Sequence, residues 1–145
     1  MASPKAQRIQ AVINSISIDI KLYQQLLELL REQKSIYLTF DSVALNDNVA
    51  QQIPILNQLS HHATERSLHL RKLGLPIHEH SVQRICNALP SELNIKARNQ
   101  WTYLKSLIHE CHQLNQSNGQ SSAAFHEIMH HIKHPAQHTY EEQRF

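Results

Sequence analysis

Residues 98–119, RNQWTYLKSLIHECHQLNQSNG, carry the pattern that decides the fold. One side of this stretch has apolar or amide side chains at steps of three and four, the spacing of an α-helical face: Trp101, Leu104, Ile108, Cys111 and Asn115. Asn118 and Gly119 follow, and both residue types tolerate the positive φ at which helices commonly end. The stretch therefore predicts a helix over about 91–115 that stops at a turn.

A second, shorter amphipathic pattern begins after Gly119. It ends before Pro135, which disfavours helix in the preceding residue, and its apolar members are Ala124, Phe125, Ile128, Met129 and Ile132. We therefore predict a helix over about 121–134. With the tryptophan helix it would form a C-terminal helix hairpin hinged on 114–119.

The composition of the chain favours long helices. Its 145 residues are 41% hydrophobic and include only two glycines and five prolines, which leaves few places to turn. A formal net charge of +2 without a block of basic residues argues against nucleic acid as a partner. No apolar run approaches the roughly 18 residues of a membrane span, and residues 1–10, MASPKAQRIQ, do not resemble the apolar region of a secretion signal. We expect one helical domain over 1–134, located in the cytoplasm and without membrane insertion.

The first predicted helix, over about 4–40, has a heptad pattern. Apolar residues recur at intervals of seven, as Ile9, Ile16, Tyr23, Leu30 and Tyr37. Asp19 and Gln33 interrupt the second apolar seam, while further apolar residues widen the face. A wide face suits a bundle helix that contacts two neighbours better than a narrow coiled-coil seam. Ser3 is available as the N-cap before Pro4.

Turn-forming residues at 41–48 predict a reversal into a second, antiparallel helix over about 47–73, which ends at Gly74. Pro54 either kinks this helix or starts it. A short helix over about 81–89 would be capped by Ser81 and ended by Pro90. The last segment, 135–145, has too little apolar content to order itself and is predicted to be a flexible tail. The predicted fold class is therefore all-α, an elongated antiparallel helical bundle.

One sequence motif is typical of zinc-dependent enzymes. Residues 126–130 read HEIMH, a match to the H-E-x-x-H zinc motif in which Glu127 would act as general base. A zinc peptidase needs a third protein ligand, and none stands at the expected spacing. His126 and His130 also fall on the helix side opposite Phe125 and Ile128. We therefore predict no metal, no cofactor and no catalytic residue.

The two cysteines have a structural interpretation. Cys86 and Cys111 each stand among apolar residues at helical spacing, which predicts buried, reduced thiols. A thiolate would need a polar, electropositive setting. An apolar helix face is the opposite of that setting.

The order of features in the C-terminal half resembles the FlgN family of flagellar type III export chaperones. The resemblance depends on a single tryptophan, a leucine, the LN-x-x-NG turn and a tail tyrosine, which are here Trp101, Leu114, Asn115, Asn118, Gly119 and Tyr140. It implies a cytosolic, non-catalytic protein that binds the C-terminal helical segments of the hook-filament junction proteins FlgK and FlgL. It also implies delivery to the export gate protein FlhA, with Tyr140 in the position of the family's docking tyrosine.

If the resemblance holds, the client-binding residues are expected on the apolar faces of the last two predicted helices. They are Leu107, Ile108, Cys111, Leu114, Phe125, Ile128, Met129 and Ile132. The same residues suit a helix core equally well, because amphipathicity alone does not distinguish a partner from a core. Two alternatives stay open: a helical adaptor that self-associates through its first helix, and a zinc peptidase based on HEIMH.

Overall fold

The computed structural model describes residues 3–133, apart from the side chains of 129 and 131–133. It contains four helices, α1 (Pro4–Tyr37), α2 (Ser42–Lys72), α3 (Glu79–Asn87) and α4 (Ser91–Lys133). No strand is present in this part of the chain, so the predicted all-α class is confirmed. The predicted tail, 135–145, lies outside the described residues. No described helix is long and apolar enough to cross a membrane.

The first helix is the centre of the fold. α1 packs extensively against both α2 and α4, while α3 packs mainly against α4. Contacts such as Gln52 with Gln33 and His69 with Arg8 show that α2 runs antiparallel to α1, as predicted. Asn118 contacts Leu30 and Tyr103 contacts Gln24, so α4 runs parallel to α1. We call the end that contains Pro4, Lys72 and Ser91 the lower end, and the end that contains the α1–α2 turn the upper end.

The turn between α1 and α2 is shorter than predicted. The Asp41 carboxylate accepts from Ala44 N at 3.0 Å and caps α2, which therefore begins at Ser42 rather than at 47. α1 ends at Tyr37, and Phe40 adopts a φ of 57° in the turn. The predicted turn residues after Asp41 are helical because tertiary contacts hold them. Asn48, for example, is fully buried and donates from Nδ2 to Leu29 O.

Local capping interactions determine where α1 begins and where α2 ends. The Ser3 hydroxyl accepts from Ala6 N at 3.1 Å, as expected of an N-cap. Pro54 lies inside α2, so the second helix does not start at this proline. At the end of α2, Gly74 has a φ of 74°. Its N–H donates to Arg71 O, and Leu75 N–H donates to Leu70 O, which together form a Schellman motif.

The third helix begins two residues earlier than predicted. His78 is its N-cap and accepts from His80 N through Nδ1. Ser81, the predicted cap, is buried inside α3, and its hydroxyl donates to Pro76 O at 2.6 Å. The serine therefore fixes the loop before α3 rather than the first turn of the helix. The helix ends at Asn87 instead of 89.

The predicted C-terminal hairpin is wrong, because α4 continues through 114–119 to Lys133 without a turn. Asn118 is only 2% exposed and donates from Nδ2 to Leu30 O at 2.9 Å, which holds this part of α4 against α1. Beyond it, Phe125 is buried and contacts the rings of Tyr37 and Phe40. Of the two glycines, only Gly74 has a positive φ. Tertiary packing therefore overrides a local stop signal.

The two glycines give opposite predictions for replacement by alanine. Gly74→Ala forces a β-carbon into a left-handed backbone, so we expect a loss of about 1 kcal/mol in unfolding free energy. Gly119 is in a helix with nothing within 4 Å of an added Cβ, so Gly119→Ala should stabilise by about 0.5–1 kcal/mol. Urea denaturation measures both. Destabilisation by Gly119→Ala would contradict the continuous α4.

Most of the buried apolar side chains that the structure describes form two clusters along α1. The lower cluster joins all four helices through Val12, Ile16, Leu70, Val82, Ile85, Cys86, Ala97, Trp101 and Leu104. The upper cluster joins α1, α2 and α4 through Leu22, Leu26, Leu27, Leu30, Leu59, Leu107 and Cys111. Both cysteines are free and buried, as predicted.

Asp19 and Gln33 interrupt the apolar seam of α1, as predicted, and both have polar partners. Asp19 is 2% exposed and forms an ion pair with Arg66 and a hydrogen bond of 2.7 Å with His62 Nδ1. Gln33 accepts from Gln52 at 2.8 Å and from Asn118 at 3.4 Å. These contacts satisfy polar groups that would otherwise destabilise the core. They also fix the position of α1 relative to its neighbours.

Candidate functional site

An apolar groove lies between α2 and α4. Both helices pack on α1, but within residues 3–133 they make no comparable contact with each other. The groove is shallow, with a volume of about 180 Å³. α1 supplies its floor, and the two flanking helices supply its walls: Tyr23, Leu26 and Leu30 from α1, Gln52 and Leu56 from α2, and Ile108, Cys111, His112 and Asn115 from α4.

An exposed apolar stripe on α2 extends the groove. Val49, Ile53 and Leu56 are spaced by three and four residues, so they lie along the same side of α2, and all three are exposed. Apolar residues at this helical spacing would by themselves predict a core face. Instead Asn48, Gln52 and Leu59 are buried against α1. In this part of α2, Asn48 and Gln52 face α1 while three apolar side chains face solvent, which is typical of a surface that receives a partner.

Burial keeps Cys111 and Tyr23, which both line the groove, neutral at physiological pH. Burial, together with nearby Glu110, raises the pKa of Cys111 to about 11. Its thiol lies 3.8 Å from Tyr23 O. Burial and the Asp19 charge likewise raise the pKa of Tyr23. The lining contains no Asp, Glu, Lys or Arg. The groove is therefore suited to bind an apolar helix face, and Cys111 is a protonated packing residue rather than a nucleophile.

The family profile described as FlgN protein matches residues 1–140. The chain belongs to the FlgN family. FlgN proteins are flagellar export chaperones, not enzymes. No curated protein and no solved structure matches the chain.

The structure separates the predicted client-binding residues of this FlgN-family chain into three groups. Ile108 and Cys111 line the groove, and Leu114 packs beside them on the upper cluster. Leu107 and Phe125 are buried inside the protein. Ile128 is exposed near the end of α4, and the side chains of Met129 and Ile132, like Tyr140, lie outside the described residues. The predicted residues whose side chains are described thus do not form one continuous surface.

The family-motif residues also have distinct positions. Trp101 is buried in the lower cluster, with Lys105 Nζ 5.8 Å from the centre of its ring, so it is a packing anchor. Asn115 is exposed and lines the groove, whereas Asn118 is buried beneath it. Gly119 continues the helix. Only Asn115 among these four is available to a partner in the groove.

The HEIMH motif lies on the exposed side of α4. His126, Glu127 and His130 are exposed, while Phe125 between α4 and the α1–α2 turn is buried. Among the described side chains, no three His, Cys, Asp or Glu residues are grouped so that they could hold a metal ion. His126 and His130 are exposed as predicted, but Ile128, which was predicted to lie on the opposite side with Phe125, is also 42% exposed.

Sequence reasoning did not find the α1 and α2 parts of the groove. Tyr23, Leu26 and Leu30 belong to the heptad pattern and look like ordinary core residues. The sequence of α2 did indicate an open surface. Its apolar face includes Val49, Ile53 and Leu56 and is therefore wider than one neighbouring helix covers. Which part of that face remains open depends on the separation between α2 and α4, and a single helix pattern contains no such information.

Proposed function

We propose that this protein binds the C-terminal helical segments of the junction proteins FlgK and FlgL in the groove between α2 and α4. The observation that carries the proposal is the open apolar groove floored by α1 and extended by the exposed stripe on α2. A client helix laid there would contact three helices of the chaperone. Its apolar stripe would be shielded from premature association until export.

The driving force is burial of apolar side chains on both partners. Leu56 is 46% exposed, and Val49 and Ile53 are similarly accessible, so each has surface to lose on binding. Burying one such side chain contributes roughly 1–2 kcal/mol, against which the client must be ordered. An apolar stripe with the spacing i, i+3, i+7 on the client fits this mode of recognition.

Delivery completes the proposed function. The resemblance to the family supports docking of the loaded chaperone on FlhA through Tyr140, in the cytoplasm. Tyr140 is followed by two glutamates, which would add a negative charge to that docking segment at neutral pH.

A matched pair of substitutions on α2 tests the groove. Leu56 and Leu68 are 46% and 45% exposed, but only Leu56 lines the groove. Leu56→Glu introduces a charge that the client's apolar face would have to desolvate, so we expect the affinity for a FlgK C-terminal peptide of the same organism to fall about 30-fold or more. Leu68→Glu should bind like the wild type. Isothermal titration calorimetry measures both, and a negative ΔCp is expected for the wild type.

Two results would contradict the proposal. If neither a FlgK nor an FlgL peptide binds the folded wild-type protein, the function is wrong. If the peptides bind but Leu56→Glu and Leu68→Glu weaken binding equally, the clients bind elsewhere on the chain. Circular dichroism and a denaturation curve establish that both variants fold.

A further inference from the structure

The basic residues of this chain are concentrated at its lower end, although they are dispersed in the sequence. Seven of the 14 Lys and Arg residues lie in the first turns of α1 and α4, the last turn of α2, and α3: Lys5, Arg8, Arg71, Lys72, Arg84, Lys96 and Arg98. Arg8 contacts His69 at 3.3 Å, and Lys5 and Arg84 border one cavity. Helix packing therefore joins four small groups of charge into one surface.

Few acidic groups oppose this charge. In α3 and in the turns of α1, α2 and α4 that carry these bases, the acidic residues are Glu79 in the first turn of α3 and Glu92 in the first turn of α4. Within the described residues none of the seven bases forms an ion pair with a carboxylate. Asp19, which is deeper in the fold, is matched by Arg66 and His62. The lower end consequently has an excess of positive charge in a protein that is almost neutral overall.

A cavity opens within this basic surface. It has a volume of about 410 Å³ and lies between α1, α3 and the loop after α2. Its floor is aliphatic, formed by Ile9, Leu73, Leu75 and Ile85, and its rim carries Lys5 and Arg84. Both rim side chains are exposed. An apolar cavity of this size with cations at its rim is suited to an aliphatic side chain that is flanked by carboxylates.

We propose that the lower end is a second docking site, distinct from the client groove, for an acidic protein segment that inserts an aliphatic side chain into this cavity. Charge complementarity selects the partner: its carboxylates face Lys5 and Arg84, and the other basic residues of the lower end steer its approach. The site is separate from the groove between α2 and α4, which is lined by other residues. Client and acidic segment would therefore bind at the same time.

The shape and composition of the site favour a peptide over other anions. Single-stranded nucleic acids bind to basic grooves with aromatic side chains on which bases stack, and this cavity is lined by aliphatic residues. Membrane-binding surfaces insert protruding apolar side chains, whereas this site is concave. An acidic segment with aliphatic residues matches both the charge and the cavity.

Binding of a fluorescein-labelled peptide to the full chain tests the site. The probe contains Glu and Ala around a single leucine, so it has no apolar stripe for the groove between α2 and α4, and its binding is followed by fluorescence anisotropy. We expect saturable binding that weakens with salt and that falls about tenfold or more in Lys5→Glu/Arg84→Glu. The control, Lys21→Glu/Lys34→Glu, makes the same change in net charge at exposed positions of α1 outside the lower end and should bind like the wild type.

A charge-neutral variant tests the cavity itself. Ala88 is exposed, lines the cavity and follows the last turn of α3, so Ala88→Phe fills the space without changing the charge. It should weaken binding about as much as the double charge reversal. The proposal is wrong if the wild type does not bind the probe, if the control double variant loses as much affinity, or if a probe with Gln in place of Leu binds equally well. Tighter binding to a DNA oligonucleotide or to phosphatidylglycerol vesicles than to the probe would also overturn it.

Discussion

Asp19→Leu is expected to lower the free energy of unfolding by about 3 kcal/mol, because it leaves a buried cation without its counter-charge. Asp19 is 2% exposed in the middle of α1 and pairs with Arg66 and His62 from α2. Arg66 is itself only 14% exposed at its side chain. Its remaining hydrogen bond, to Ser15 Oγ at 3.1 Å, involves a neutral group. The guanidinium would thus be largely desolvated without compensation.

The double variant Asp19→Leu/Arg66→Met separates charge from packing. It removes both partners of the strongest pair, so we expect its stability to recover to within about 1 kcal/mol of the wild type. Guanidinium denaturation followed by circular dichroism measures all three proteins at one pH. Equal losses in the single and double variants would contradict an uncompensated charge as the cause. They would indicate that the α1–α2 packing at this level depends on Asp19 itself.

Asn118→Asp is expected to destabilise the protein by about 3 kcal/mol at neutral pH. Asn118 Nδ2 donates to Leu30 O at 2.9 Å and to Gln33 Oε1 at 3.4 Å, so the substitution replaces a donor by a charged acceptor that faces two oxygens. The Oδ1 atom of Asn118 has no hydrogen-bond partner among the described residues, and the site offers nothing to stabilise a carboxylate. Burying that charge costs several times more than losing a neutral hydrogen bond.

The same variant should show a characteristic pH dependence. Burial raises the folded-state pKa of the introduced carboxyl group above its unfolded value of about 3.9. The stability deficit relative to the wild type is therefore full above the folded pKa and shrinks as the pH falls through it, since a protonated carboxyl donates to Leu30 O. Comparison with the wild type at each pH cancels the contribution of the twelve histidines.

Asn118→Leu is the matched control. Leu30 O keeps its helical hydrogen bond, and the unpartnered amide oxygen disappears, so the loss should stay near 1 kcal/mol and should not vary with pH. A pH-independent deficit in Asn118→Asp would contradict the buried-carboxylate explanation. If Asn118→Asp were as stable as the wild type, α4 would not be held against α1 at this position.

Features that depend on a few neighbouring residues were predictable from the sequence. Ser3 caps α1 and Gly74 ends α2 because hydroxyl capping and positive φ are local properties of the chain. The heptad pattern of α1 and the scarcity of glycine indicated a long central helix with antiparallel packing. The interruptions at Asp19 and Gln33 were visible as well. The sequence did not show which residues of the other helices would pair with them.

The continuity of α4 and the binding surfaces were decided by the tertiary structure. Asn118 and Gly119 form a helix stop in isolation, but contacts with Leu30 and Gln33 add more stability than a local turn would provide. The groove exists because α2 and α4 lie apart on α1, so that Leu56 faces it while Gln52 reaches Gln33. Likewise, the basic lower end is assembled from separate segments of the chain. The sequence by itself determined the helices and most of their ends, because these depend on spacings of three to seven residues. The sites depend on distances between helices, which only the packing of the whole chain sets.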